Sequence, residues 1–276
     1  MSKPALCFRN YIEYFDDSDK TAPTLSATSE NANYPIENIA NWRIDGESRW
    51  KATTKVLQEI DMDFGADAPD PDTLVIAGHN TFNEPVKHSL LHSDDDITYT
   101  TAIAYQQAPS NHPMMTTFAK DGGHQYWRVA IEATTGDLIE IAHIFLGVRL
   151  DFPVGLQPGI DYFSATPAFY NDSPLNGSPI GRAVSHLNKS IRLDWGTPGF
   201  TAESVLDFFP YSASPDYDDV FMRHLAAGNP FWFSPDNDNQ PTHLYLCHAD
   251  GFSTPFDGSL KRRTFSGTIT GYSEIF

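Results

Sequence analysis

Apolar residues in this chain come in short runs, rich in β-branched and aromatic side chains and closed at both ends by Gly, Pro, Asn or Asp. Examples are LQEIDMDFG (57–65), TLVIAGHN (73–80), QYWRVAIEA (125–133), LIEIAHIFLGVRL (138–150), SIRLDWG (190–196), PFWFSP (230–235), HLYLCHA (243–249) and RTFSGTITGYSEI (263–275). Runs of that length between turn formers predict strands. A period of 3.6 is kept only at 201–209 (TAESVLDFF) and 216–228 (DYDDVFMRHLAAG). In the second, Val220, Phe221 and Leu225 share a face after an acidic first turn, and Gly228 stands where a C-cap glycine would. The chain is predicted to be mainly β, with one or two short helices.

Its 276 residues allow one large β domain or two smaller ones. Residues 151–181 (DFPVGLQPGIDYFSATPAFYNDSPLNGSPIG) change character, with dense Pro, Gly and small polar residues and little apolar alternation. A connector or extended arm is expected there, between a first unit at 1–150 and a second at 182–276. An arm with no core of its own must bury Phe152, Tyr162, Phe163, Phe169 and Tyr170 against something, which makes them candidate assembly contacts. Trp232 joins them. Alternation in NPFWFSP puts Phe231 and Phe233 on one face and Trp232 on the other, so both faces need a cover.

Acidic residues outnumber basic ones 36 to 18, a net charge of -18. That field repels phosphate backbones and anionic lipid, so nucleic-acid or membrane partners are not expected. No apolar run approaches a membrane span, and Met1-Ser2-Lys3-Pro4 does not begin a signal peptide. Cys7 and Cys247 form no CxxC pair and read as reduced thiols in a chain made in the cytosol.

The stretch DTLVIAGHNTF (72–82), followed by His88 and His92, raises the question of a metal or catalytic site. His79 reads better as a polar residue at a strand exit, bonded to a loop. His88 and His92 have helical chelating spacing, but PVKHSLLHSDDDITYT reads as a strand and an acidic turn. Asp94-Asp95-Asp96 lacks the glycine and closing glutamate of an EF-hand loop. GxSxG, HExxH, Walker A and dinucleotide motifs are missing. Neither a metal, a cofactor nor a catalytic residue is assigned, and an enzyme is not expected.

The order of elements in the first unit carries more. Asp45, Ser48, Trp50 and Ala52 precede a strand ending Asp63-Phe64-Gly65, and a strand Ile76 to Asn80 follows. This resembles the discoidin-like, galactose-binding-like jelly roll over roughly residues 24–150. The resemblance implies a β-sandwich with Trp50 in its core, and loops of a kind that bind carbohydrate through aromatic platforms and hydrogen-bonding side chains. By residue type, Trp42, Arg43, Arg49, His112 and His124 are the candidates.

In the second unit Gly181-Arg182, Pro230-Phe231-Trp232-Phe233 and the terminal Phe265 to Ile275 resemble the C-terminal part of tailed-bacteriophage tail-tip proteins of the distal-tail or baseplate kind. That resemblance implies a non-enzymatic virion protein, assembled with itself as a ring and with adjacent tail proteins. The alternative is a carbohydrate-binding module or adhesin for host surface glycan. A hydrolase with its carboxylate pair hidden among many is a third and weaker reading.

Overall fold

A computed structural model describes residues 4–13, 21–44, 47–83, 86–151, 165–172, 181–194, 228–235, 244–253, 256–257, 262–263 and 266–273, with side chains up to 151 and at 228–235 and 244–248. The chain is mainly β, and it divides into two compact units. One is Cys7–Leu150 with Gln240–Leu244; the other is Met1–Leu6, Asp151–Asn239 and Tyr245–Phe276. The helix candidates at 201–209 and 216–227 lie outside the described residues, and Gly228, at φ +72, sits in a turn. No helix among the described residues is long and apolar enough to cross a membrane.

The first unit is a β-sandwich of the jelly-roll kind. Its strands are β1 (Ala5–Asn10), β2 (Thr24–Ala27), β3 (Trp50–Lys51), β4 (Gln58–Asp63), β5 (Thr73–His79), β6 (Lys87–Ser93), β7 (Thr100–Gln107), β8 (Met114–Thr117), β9 (Tyr126–Ile131) and β10 (Glu140–Asp151). One antiparallel sheet orders β2-β4-β9-β6-β7; the other orders β1-β10-β5-β8, with β3 on β10. β4 shows why the sheets face each other. Gln58, Ile60 and Met62 are buried while Glu59, Asp61 and Asp63 are only half-buried. This is the period of two that puts alternate side chains on opposite faces. Ile60, Met62, Leu90, Val129 and Ile131 meet Leu74, Ile76, Ile141, Ile144 and Leu146 in one core. The 3-10 helix Ile36–Ala40 adds Ile36 and Ile39 to it.

Of the motif residues Asp45 lies outside the described residues, while Trp50 and Gly65 take their expected places. Trp50 is 0% exposed, and its Nε1 donates to the Ser29 carbonyl at 3.2 Å. Gly65 adopts φ +56 just past β4, and its N–H donates to Asp63 Oδ1 at 2.8 Å. Gly78 sits at φ +60, and a Cβ there would lie 2.5 Å from the Cβ of Ala142. Only glycine lets β5 run so close to β10 in that conformation.

In the second unit β11 (Ala165–Asp172), β12 (Gly181–Asp194), β13 (Phe231–Ser234), β14 (Tyr245–Ser253) and β17 (Ser266–Ser273) form an antiparallel run ordered β11-β12-β17-β14-β13. β15 (Phe256–Asp257) and β16 (Arg262–Arg263) pair separately. β11 lies within the Pro/Gly-rich 151–181 segment, so part of that segment is strand, its backbone groups paired by β12.

Candidate functional site

The connections of the sandwich fall at two ends, because successive antiparallel strands reverse direction. Segments 80–83, 108–113 and 132–139 share one end with the loop that enters β4. Segments 64–72, 94–99 and 118–125 share the other.

At the first end, His79 closes β5. Its Nε2 lies 3.2 Å from the carbonyl of His112, and its Nδ1 lies 2.8 Å from Thr81 Oγ1. A carbonyl can only accept, so Nε2 carries the proton and Nδ1 accepts from the hydroxyl. Burial pushes this imidazole down to about 4, against a smaller opposing effect of the His112 carbonyl. His79 is thus a neutral brace between two loops, the role expected from the sequence. Asn80 continues the bracing: Nδ2 donates to Leu138 O at 2.9 Å and Oδ1 accepts from Glu140 N at 3.0 Å. Asn111 Oδ1 accepts the backbone N–H of Phe82 at 3.1 Å, and the Phe82 ring is 44% exposed. His112 beside Asn111 is exposed. Phe82 and Asn111 were not singled out from the sequence; a large aromatic next to the polar exit of a buried strand was the available signal.

The five residues proposed as a sugar site do not all lie at one end of the sandwich. Trp42 is half-buried with its ring over His143 (centroids 4.8 Å apart) and Phe145 (6.1 Å), so it covers a sheet face instead of standing free. Arg43 is exposed. Arg49 pairs with Glu140, which also holds Lys51. Burial raises the Glu140 carboxyl, but bonds and charge from Lys51 and Arg49 outweigh it and leave it below its ordinary value. His112 and His124 lie at opposite ends of the sandwich, since they flank β8 in consecutive loops.

His124 belongs to a different cluster at the second end. β6 and β9 pair so that His92 stands opposite Trp127, three residues past His124. The His92 and His124 rings stack with centroids 3.8 Å apart, and Trp127 lies 5.3 and 5.9 Å from them. Trp127 Nε1 donates to the His124 carbonyl at 3.1 Å, fixing that loop. One nitrogen of each histidine and a carboxylate oxygen of Asp121 all lie within 4.8 Å of one another. This is the one group of such ligands among the described residues. Burial lowers the His92 imidazole, as does the charge of His124, against Asp121 and Asp94.

The chelating pair considered from spacing, His88 with His92, is ruled out by the strand. Four residues of extended chain separate them by about 13 Å, and His88 points to Gln106 instead, at 3.5 Å. The acidic triplet is bonded within its own neighbourhood. Asp95 Oδ1 accepts from Thr98 N, Ile97 N and Ser93 Oγ, which hold its carboxyl down to about 2. Asp96 accepts from the Tyr99 hydroxyl and Asp94 faces His124.

Of the assembly candidates, Phe152, Tyr162 and Phe163 lie outside the described residues. Phe169 and Tyr170 are on β11, opposite Val184 and Ala183 of β12. Trp232 corrects an expectation: it is 0% exposed in the single chain, flanked on β13 by Phe231 and Phe233, also at 0%. The chain covers both faces of this strand itself, so no neighbouring subunit is needed to cover Trp232.

No protein-family model matches the chain, and no curated protein does. Several solved structures are similar. A family 32 carbohydrate-binding module of Clostridium perfringens NanJ, in complex with galactose, is 16% identical, with 51% of this chain and 98% of that one covered at a TM-score of 0.40. A second C. perfringens module, solved with GalNAc-β-1,3-galactose, is 15% identical, with 45% and 94% covered at 0.36. A chitosan-binding module from a Paenibacillus chitosanase/glucanase is 15% identical, with 50% and 98% covered at 0.38.

Proposed function

We propose that the Cys7–Leu150 unit is a non-catalytic glycan-recognition module whose contact surface is the loop end around His79. One observation carries the reading. Phe82 presents an aromatic face to solvent on a backbone pinned by Asn111, beside the exposed His112. An apolar ring face next to donors and acceptors is what a sugar, apolar on one side and rimmed with hydroxyls, can occupy. The bracing by His79 and Asn80 preorganises that surface, so binding orders little that is not already ordered. The net charge of -18 favours neutral sugars over anionic polymers. Binding of the full chain to immobilised galactosides, N-acetylgalactosaminides and chitosan oligosaccharides tests it. A saturable, competable signal that Phe82→Ala lowers at least about tenfold, the scale of a single good contact, is expected. A blank screen, or binding indifferent to both Phe82→Ala and His112→Ala, overturns the reading.

A second reading, a structural component of a phage tail tip, rests on the sequence resemblance of the second unit alone. Gly181-Arg182 opens β12, Phe231 to Phe233 lie in β13, and most of 265–275 is β17, all strands of one antiparallel run. On this reading the second unit drives self-association into a ring with adjacent tail proteins, and the protein is carried in the virion. Sedimentation of the purified chain separates the cases. A closed oligomer supports the reading; a monomer at all concentrations, missing from purified particles, removes it.

A further inference from the structure

The cluster at the far end of the sandwich from Phe82 is used by neither reading. His124 Nδ1 lies 3.0 Å from Asp94 Oδ1, so this nitrogen donates its proton to the carboxylate. The other ring nitrogen, Nε2, is buried and has no hydrogen-bond partner among the described residues. With the proton on Nδ1, Nε2 holds a lone pair. A buried acceptor with nothing to accept from is uncommon and calls for an explanation. A carboxylate holding one histidine nitrogen while the other is left for a ligand is the outer-sphere pattern of metal-bound histidine. His92 supplies the second donor. Its side chain is nearly buried, and its Nε2 lies 3.5 Å from Asp121 Oδ2, too long for a strong hydrogen bond.

We propose that His92, Asp121 and His124 bind a divalent transition-metal ion of the zinc class, with Asp94 orienting His124 from outside the coordination sphere. Donors at about 2.0–2.1 Å from a tetrahedral ion stand roughly 3.3 Å apart. One nitrogen of each imidazole and one oxygen of Asp121 lie within 4.8 Å of one another, so closure is short. The side chain best able to move is Asp121, 71% exposed, while the imidazoles are held by their stack and by Trp127. Two imidazoles and one carboxylate select a borderline ion over calcium or magnesium, which take oxygen ligands. Three protein ligands leave the fourth position to water. Bound there, the ion ties the 118–125 loop to the end of β6.

The test uses the full chain, stripped with a chelator and titrated with zinc by calorimetry and with cobalt by its visible absorption. One saturable equivalent is expected, with no comparable binding of calcium or magnesium. Asp121→Asn removes an exposed ligand without touching the core, and His124→Gln removes the buried nitrogen. Each should weaken zinc at least as much as the roughly 10- to 100-fold that an outer-sphere change costs, the range expected for Asp94→Asn. His112→Ala, at the opposite end, should change nothing, and circular dichroism confirms that the variants are folded. The absence of a saturable equivalent overturns the proposal. So does an equivalent that survives both Asp121→Asn and His124→Gln, or one lost in His112→Ala.

Discussion

Acid should unfold this protein earlier than its carboxylates alone would. Burial pushes the imidazoles of His79, His88 and His143 from the ordinary 6.5 to about 4. Backbone carbonyls offset part of that effect at His79 and His143, and nothing offsets it at His88. Between pH 6.5 and 4 the unfolded chain binds protons at these histidines that the folded chain refuses. Their contribution to stability is therefore full above pH 6.5 and is lost as pH falls toward 4. A drop of about 2.5 pH units at about 1.4 kcal/mol per unit makes each worth roughly 3 kcal/mol. Glu13 opposes them. Burial raises its carboxyl to about 8, against the Trp42 hydrogen bond, so the folded state keeps a proton there that the unfolded chain releases above 4.5. Near pH 5 the net uptake on unfolding is about three minus one, or two protons, a slope of roughly 2.7 kcal/mol per pH unit. Urea unfolding of the full chain from pH 4.5 to 8, at fixed ionic strength, measures it. His88→Gln should leave stability at pH 8 within about 1 kcal/mol and lower the slope by one proton. A slope under one proton, about 1.4 kcal/mol per pH unit, near pH 5 would refute the assignment of these histidines as neutral and buried.

Trp50→Ala should cost about 3–5 kcal/mol, since it empties the core and leaves the Ser29 carbonyl without its donor; an unchanged urea midpoint would show that this ring is not core. Gly78→Ala should lower stability by about 1–3 kcal/mol through its positive φ and its approach to Ala142, and an unshifted melting temperature refutes the constraint. Trp232→Ala should also cost about 3–5 kcal/mol without altering the mass of any assembly; a variant that melts normally but assembles less would restore the interface role.

What could be read from the sequence was local. The alternation of LQEIDMD and the turn residues around it placed β4 and its facing, because a half-buried strand needs no partner to show its period. Asp63-Phe64-Gly65 and Gly78-His79-Asn80 placed two exits, because positive φ and side-chain bonds to the backbone restrict which residues serve there. PFWF gave a buried strand but not its covers, since a strand apolar on both faces reads the same whether its own chain or another covers it. The tertiary strand pairing of 165–172 was hidden by Pro and Gly, which read as connector until β12 is seen to supply hydrogen bonds.

The histidines show where such reading stops. Spacing along the chain tests chelation only within one element, and on a strand a separation of four puts two side chains about 13 Å apart. His88 and His92 therefore do not pair, as the strand reading of this segment implies. The right partner for His92 is set by the register of β6 on β9, which brings Trp127 across from it and the residues just before β9 alongside. Nothing local marks Asp121 or His124 for that role, since AKDGGHQ reads as an ordinary polar loop. Once the register is known, each residue acquires a distinct part: His92 and His124 the nitrogens, Asp121 the movable charge, Asp94 the brace. A one-residue slip of β9 would carry Trp127 to the other face of the sheet and remove one wall of the cluster. Any metal affinity is therefore coupled to the integrity of this sheet, and zinc should raise the melting temperature of the wild-type chain and not that of Asp121→Asn.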